Sequence, residues 1–123
     1  MTTENPQALR DALDTAAEAI RFANYLTLPG SGTPGLVYPA DVYSAIGNLV
    51  VLNQRLPQLL GQLGDFLMGE YAAGKVASDT GRDAGGEVME VSAALVLAAD
   101  RAAELERALG EAHNASATLK AAG

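Results

Sequence analysis

Three short patterns in this chain of 123 residues hold residue types that do chemistry. Gly30, Gly32 and Gly35, inside LPGSGTPGLVY, have the G-x-G-x-x-G spacing of a dinucleotide-binding loop. In such a loop the glycines let backbone amides close on a pyrophosphate at the start of a helix. Asp79-Thr80-Gly81 is the tripeptide that, on a paired β-scaffold, lets two carboxylates share one proton. His113, the single histidine, follows Glu111 by two residues and offers the imidazole nitrogen that metal ions favour.

Each pattern lacks the surroundings its chemistry needs. The glycine loop should follow a strand and open directly into a helix, but a helical stripe precedes it. The next helix signal waits until Pro39, and Pro34 removes an amide inside the motif. The stretch therefore reads as a hinge. Asp79 lies in a turn-rich connector between long helical patterns, so it reads as a turn or cap residue. Glu111 and His113 point about 200° apart on a helix and cannot chelate one ion, so His113 reads as a surface residue. No nucleophile has a base beside it. The expectation is no catalytic residues, no cofactor and no metal ligands.

Bulk composition narrows the partners. There are 8 Lys and Arg against 15 Asp and Glu, a net charge of -7, and the basic residues are scattered. Such a surface repels phosphate backbones and anionic lipid, which argues against nucleic acid and membrane. The chain has no cysteine, 49% hydrophobic residues and only 5% aromatics, a balance suited to a helical bundle. The N-terminus MTTENPQALRDALD has no apolar run of the signal-peptide kind, and the longest greasy region is broken by Asn, Gln, Arg and Asp. A cytoplasmic location is the default expectation.

Three helices separated by two hinges must position these residues, all within a single domain 1–123. The first spans 6–26, with Asn5 as N-cap and Pro6 at the first helical position. Leu9, Leu13, Ala16, Ile20 and Ala23 form its apolar stripe. After a hinge at 27–38, Pro39 opens a helix over 39–73. It carries one stripe of Val42, Ala45, Leu49, Leu52, Leu56, Leu59, Leu63 and Phe66. A second, adjacent stripe is Tyr43, Ile46, Val50, Asn53, Pro57, Leu60, Gly64, Leu67 and Tyr71. Two stripes make a face wide enough for two neighbours. Pro57 predicts a kink, and Gly61 and Gly64 soften the same region. A turn at 74–86 leads to a helix over 87–119. Val88, Val91, Leu95, Ala98, Ala102, Leu105, Leu109, Ala112, Ser116 and Leu119 step by three and four there. The fold class is all-α: a long antiparallel helical hairpin plus a shorter N-terminal helix, a three-helix bundle able to form oligomers.

Asn53 falls inside an apolar stripe, where one polar residue fixes register or reaches solvent from the edge. Asn48, Gln54, Arg55, Gln58 and Gln62 make a polar, nearly uncharged face on the same helix, and interface cores are depleted in charge. These six residues, Asn48, Asn53, Gln54, Arg55, Gln58 and Gln62, form the candidate interaction face. The run YPADVYSAIGNLVVLNQRLPQLLGQLGDFL resembles a segment of small Ala-rich helical proteins of actinobacteria, some associated with mobile elements. That resemblance implies a helical fold and a source, and no particular activity. The small helical hairpins of type VII secretion are similar in size, but this chain has no W-x-G at its turn. The functional expectation is a non-enzymatic interaction or scaffold protein that binds itself, as a homo-oligomer, or another helical protein. The alternative is a bundle that binds a small ligand in a pocket near the Pro57 kink, beside Leu56, Leu60 and Asn53.

Overall fold

Local hydrogen-bonding devices set both ends of the first two helices. A computed structural model describes residues 3–123 and contains, among them, three α-helices: α1 (Pro6–Leu26), α2 (Pro39–Ala72) and α3 (Gly85–Ser116). The expected boundaries of α1 are observed, α2 ends one residue early, and α3 is shifted toward the turn. The chain divides into two compact units, one running up to Val42 together with Leu119–Gly123, the other Tyr43–Thr118.

In the first unit the Asn5 side chain accepts the Ala8 amide at 3.0 Å, which satisfies a free donor at the start of α1. At the other end the Thr27 hydroxyl donates to the Ala23 carbonyl at 2.9 Å. The Gly35 amide donates to the Leu26 carbonyl at 2.8 Å, so the following segment folds back to cap the helix. A Cβ at Gly35 would sit 3.0 Å from Leu26 Cβ, so this close approach needs glycine. α1 buries none of its residues, and Leu9, Leu13 and Ile20 remain 40–46% exposed. The start of α2 is capped from inside. Asp41 accepts the amides of Tyr38 at 2.7 Å and Val37 at 2.8 Å. This is the acidic half of a capping box. The Tyr38 amide, and then that of Val37, hold the Asp41 carboxyl below its ordinary range.

The second unit is the long hairpin. α2 ends at a Schellman cap: Gly74 adopts φ +75, its amide bonds the Tyr71 carbonyl at 3.0 Å, and the Lys75 amide bonds Glu70 at 2.9 Å. Beyond the turn, the Tyr71 phenol donates to both oxygens of Asp83 at 3.0 and 3.2 Å, tying the end of α2 to the approach to α3. That carboxylate pushes the Tyr71 phenol above the usual tyrosine range. Further along, Gly64 faces Leu95, Asn53 meets Ala102, and Tyr43 stacks on His113. The residue numbers fall on one helix as they rise on the other, which is an antiparallel register held over nearly the full length.

The seam between α2 and α3 has mostly small residues at its most buried points. Its most buried apolar members are Ala84, Val88 and Ala102, with Gly64 opposite. Such residues let two backbones approach closely, but they bury little area. The second stripe of α2 lines this seam, as its spacing predicts. On α3 the half-buried or buried positions are Gly85, Val88, Ser92, Leu95, Ala98, Ala99, Ala102, Ala103, Glu106, Leu109, Gly110, His113 and Ser116. This differs from the apolar stripe read from the sequence. Six positions are shared, but Val91 and Leu105 are exposed, while Ser92, Ala99, Glu106 and His113 turn inward. The physical reason lies on α2, whose Gln54 and Tyr43 supply polar and aromatic partners for Glu106 and His113.

Candidate functional site

The seam divides the hairpin into two unlike sides. On one side Gln54 donates to Glu106 at 3.0 Å. A shallow groove of about 170 Å³ opens there, between Leu60, Gly61 and Gly64 of α2 and Ser92, Leu95 and Ala99 of α3. Asp65 and Asp100 stand at its rim. This side mixes polar and small residues with Leu60, Leu95 and Val96, the last 62% exposed. At about 100° per residue the first stripe of α2 lies on the opposite flank of Asn53 and Leu60 from Gln54 and Gly61. In the same way Val91, Ala98 and Leu105 lie on the opposite flank of α3 from Ser92, Ala99 and Glu106. Both apolar flanks therefore fall on the other side of the hairpin.

That side is Leu49, Leu52, Leu56, Leu59, Leu63 and Phe66 of α2 beside Val91, Ala94, Ala98, Leu105 and Ala112 of α3. Leu49, Leu52, Leu63, Phe66, Val91 and Leu105 are 39–69% exposed. Single exposed apolar residues are ordinary, but this many in one contiguous strip mark a contact surface. Along the middle of the strip charge stands at the edges, with Arg55 on α2 and Arg101 on α3 paired with Glu104 at 3.1 Å, while Glu70 and Glu87 stand on the strip at its end beside the turn.

The six residues singled out from the sequence are not one face. Asn48, Arg55, Gln58 and Gln62 share the exposed back of α2, and Asn48, Arg55 and Gln62 border the apolar side. Gln54 stands on the groove side, engaged with Glu106. Asn53 is apart from all of them, 3% exposed in the seam, with its side-chain amide donating to the Ala102 carbonyl. Pro57, four residues on, supplies no amide to the Asn53 carbonyl, yet α2 runs unbroken through it. The groove lies one turn beyond Pro57 and is not lined by Asn53 or Leu56.

The three chemical patterns take structural places. The Gly35 amide is committed to Leu26 and Gly30 sits at φ +83, as a hinge requires. Asp79-Thr80-Gly81 is a tight turn, with the Gly81 amide on the Ser78 carbonyl at 3.2 Å and Gly81 at φ +78. The Ser78 hydroxyl there donates to Glu87, in the first turn of α3. His113 is half-buried rather than on the surface, with its ring 4.1 Å from that of Tyr43 and nearly parallel to it. Gly47 leaves room for it: a Cβ there would meet His113 Nε2 at 3.0 Å. Tyr43 and Gly47, one turn apart on α2, are the signal that sequence reading passed over.

Among the described residues no group of three or more His, Asp or Glu side chains is arranged to hold a metal ion, and no helix is long and apolar enough to cross a membrane. No family model matches the chain, and comparison with curated proteins and with solved structures finds no match either.

Proposed function

We propose that this chain is a non-enzymatic helical interaction protein that docks through the apolar side of the α2–α3 hairpin, onto itself or onto a helical partner. The observation that carries this is the strip of large apolar side chains left exposed along one side of the hairpin. The most buried points of the seam are Asn53, Gly64, Val88 and Ala102, while Leu49, Leu52, Leu63 and Leu105 are left facing outward. Burying those leucines against another helical surface is the main free-energy gain still open to the fold.

The test is a labelled amphipathic helix with leucines at heptad spacing and a neutral polar face, titrated with the protein. Wild-type protein should raise its fluorescence anisotropy, and the double variant Leu52→Glu/Leu105→Glu should not. A wild type that binds neither this helix nor itself sinks the reading. The groove at Gly61 and Gly64 supports a second reading, binding of a small ligand. Its volume of about 170 Å³ is below the roughly 300 Å³ at which ordinary ligand pockets begin. It suits a molecule of a few heavy atoms, and Gly61→Leu, which fills it, should abolish such binding.

A further inference from the structure

Accepting that the apolar side is a docking surface, we infer that its occupant is a second copy of this chain, the two hairpins packing face to face as a four-helix bundle about a two-fold axis parallel to the helices. The shape of the face carries this. Its α2 half is bulky, with Leu49, Leu52, Leu56, Leu59, Leu63 and Phe66. Its α3 half is made mostly of alanine. A two-fold axis along the hairpin lays the bulky half of each copy over the small-residue half of the other. The face is thus complementary to itself, which is what an isologous interface demands. Large residues opposite small ones interdigitate without voids.

The same operation makes every neighbouring pair of helices antiparallel, because each α2 then adjoins an α3 on both sides. α2 and α3 have 34 and 32 residues, so no length is left uncovered. Charge agrees with the placement at mid-height, although Glu70 of one copy stands nearly level with Glu87 of the other beside the turn. The Asn53–Ala102 pairing fixes the level of the helices. At that level Glu104, already paired with Arg101, comes within about one turn of Arg55 of the second copy. Area agrees too. Six side chains are 39–69% exposed. At residue areas of roughly 150–250 Å², and with the half-exposed Leu56 and Leu59 and the alanines added, the face offers roughly 800 Å² per copy, the amount a standard stable interface buries on each partner.

Sedimentation equilibrium tests this on the full chain. The wild type should be a dimer at low micromolar concentration. Leu52→Glu/Leu105→Glu should weaken the dimer by about 100-fold or more, since two charges would be buried at its centre. Both positions are exposed in the single hairpin, so the variant should keep its far-ultraviolet helical signal. Val51→Glu adds the same kind of charge on the exposed back of α2 and should leave the dimer intact. A dimer that survives Leu52→Glu/Leu105→Glu overturns the proposed face. A wild type that stays monomeric at high micromolar concentration, yet binds the leucine-heptad helix through Leu52 and Leu105, overturns the second copy but leaves the docking surface standing. A monomer that binds nothing overturns both.

Discussion

Replacing Asn53 with aspartate changes one amide to a carboxyl of the same shape, and the structure sets the size of the effect. Asn53 is 3% exposed and its side-chain amide donates to the Ala102 carbonyl. In Asn53→Asp a carboxylate faces that carbonyl oxygen with no donor between them. Leaving a buried charge unpaired costs about 3–5 kcal/mol. The variant carboxyl must therefore titrate well above the ordinary value of about 3.9 that it keeps in the unfolded chain. A raised folded pKa means the variant is most stable below that unfolded value. It loses stability as pH rises through the folded pKa, then levels off. Asn53→Ala is the control. It removes one neutral hydrogen bond, about 1 kcal/mol, plus a small vacated volume, and adds no titrating group. At this chain length each kcal/mol shifts the melting midpoint by roughly 3–6 °C. Urea unfolding followed by circular dichroism, at one protein concentration, should show a wide gap between Asn53→Asp and wild type at pH 7 that narrows at pH 3. The Asn53→Ala gap should stay nearly constant. An Asn53→Asp variant within about 0.5 kcal/mol of wild type at pH 7, a difference typical of surface positions, would mean that Asn53 is not held in the seam.

Three further outcomes follow from the caps and the turn. The Asp41 carboxyl should titrate below 3.8, because the Tyr38 and Val37 amides bind its charged form. That contribution is present at neutral pH and lost as pH falls through the lowered value, so protection of those two amides should fade in acid by NMR. A midpoint above 3.8 contradicts the cap. The Tyr71 phenol should ionise above the ordinary tyrosine value in an ultraviolet titration, and Tyr71→Phe should remove that phase. Its bond to Asp83 is intact below the ordinary tyrosine value and is lost as pH rises through the raised one. Gly69→Ala meets nothing within 4 Å in the last turn of α2 and should add about 0.5 kcal/mol in thermal or urea unfolding. Gly85→Ala should lower stability by about 1 kcal/mol or more, since its Cβ would lie 2.6 Å from the Tyr71 oxygen. Equal effects at the two glycines would refute the close packing at the turn.

The helices were legible in the sequence because their ends carry local chemistry. Asn5 with Pro6, Pro39 with Asp41 and Gly74 each act within a few residues of themselves, so spacing alone reveals them. The second stripe of α2 was legible too, including Asn53 as a polar residue within an apolar seam. The orientation of α3 was not. Apolar periodicity selects Val91 and Leu105, whereas the seam takes Glu106 and His113. What makes those two acceptable inside is Gln54 and Tyr43, about fifty and seventy positions away, and no one-helix pattern contains that information. The candidate face was only partly legible for the same reason. Asn48, Arg55, Gln58 and Gln62 were gathered correctly by helical period. Gln54 and Asn53 belong elsewhere because α3 reaches one and covers the other. The apolar side itself was visible only as an excess of stripes, since deciding which stripe stays outside needs the partner helix in place.

The Tyr71–Asp83 tie gives the hairpin an order of assembly. It closes a loop of only 12 residues, whereas the Tyr43–His113 stack closes one of about seventy. Meeting by chance is easiest at the turn, and once Tyr71 holds Asp83 each successive pair is brought near by the one before it. The ends then zip from Gly64 and Leu95 to Asn53 and Ala102, and last to the stacked rings. Opening runs the same path backwards, so amide hydrogens beside Tyr43 and His113 exchange with solvent sooner than those around Val88.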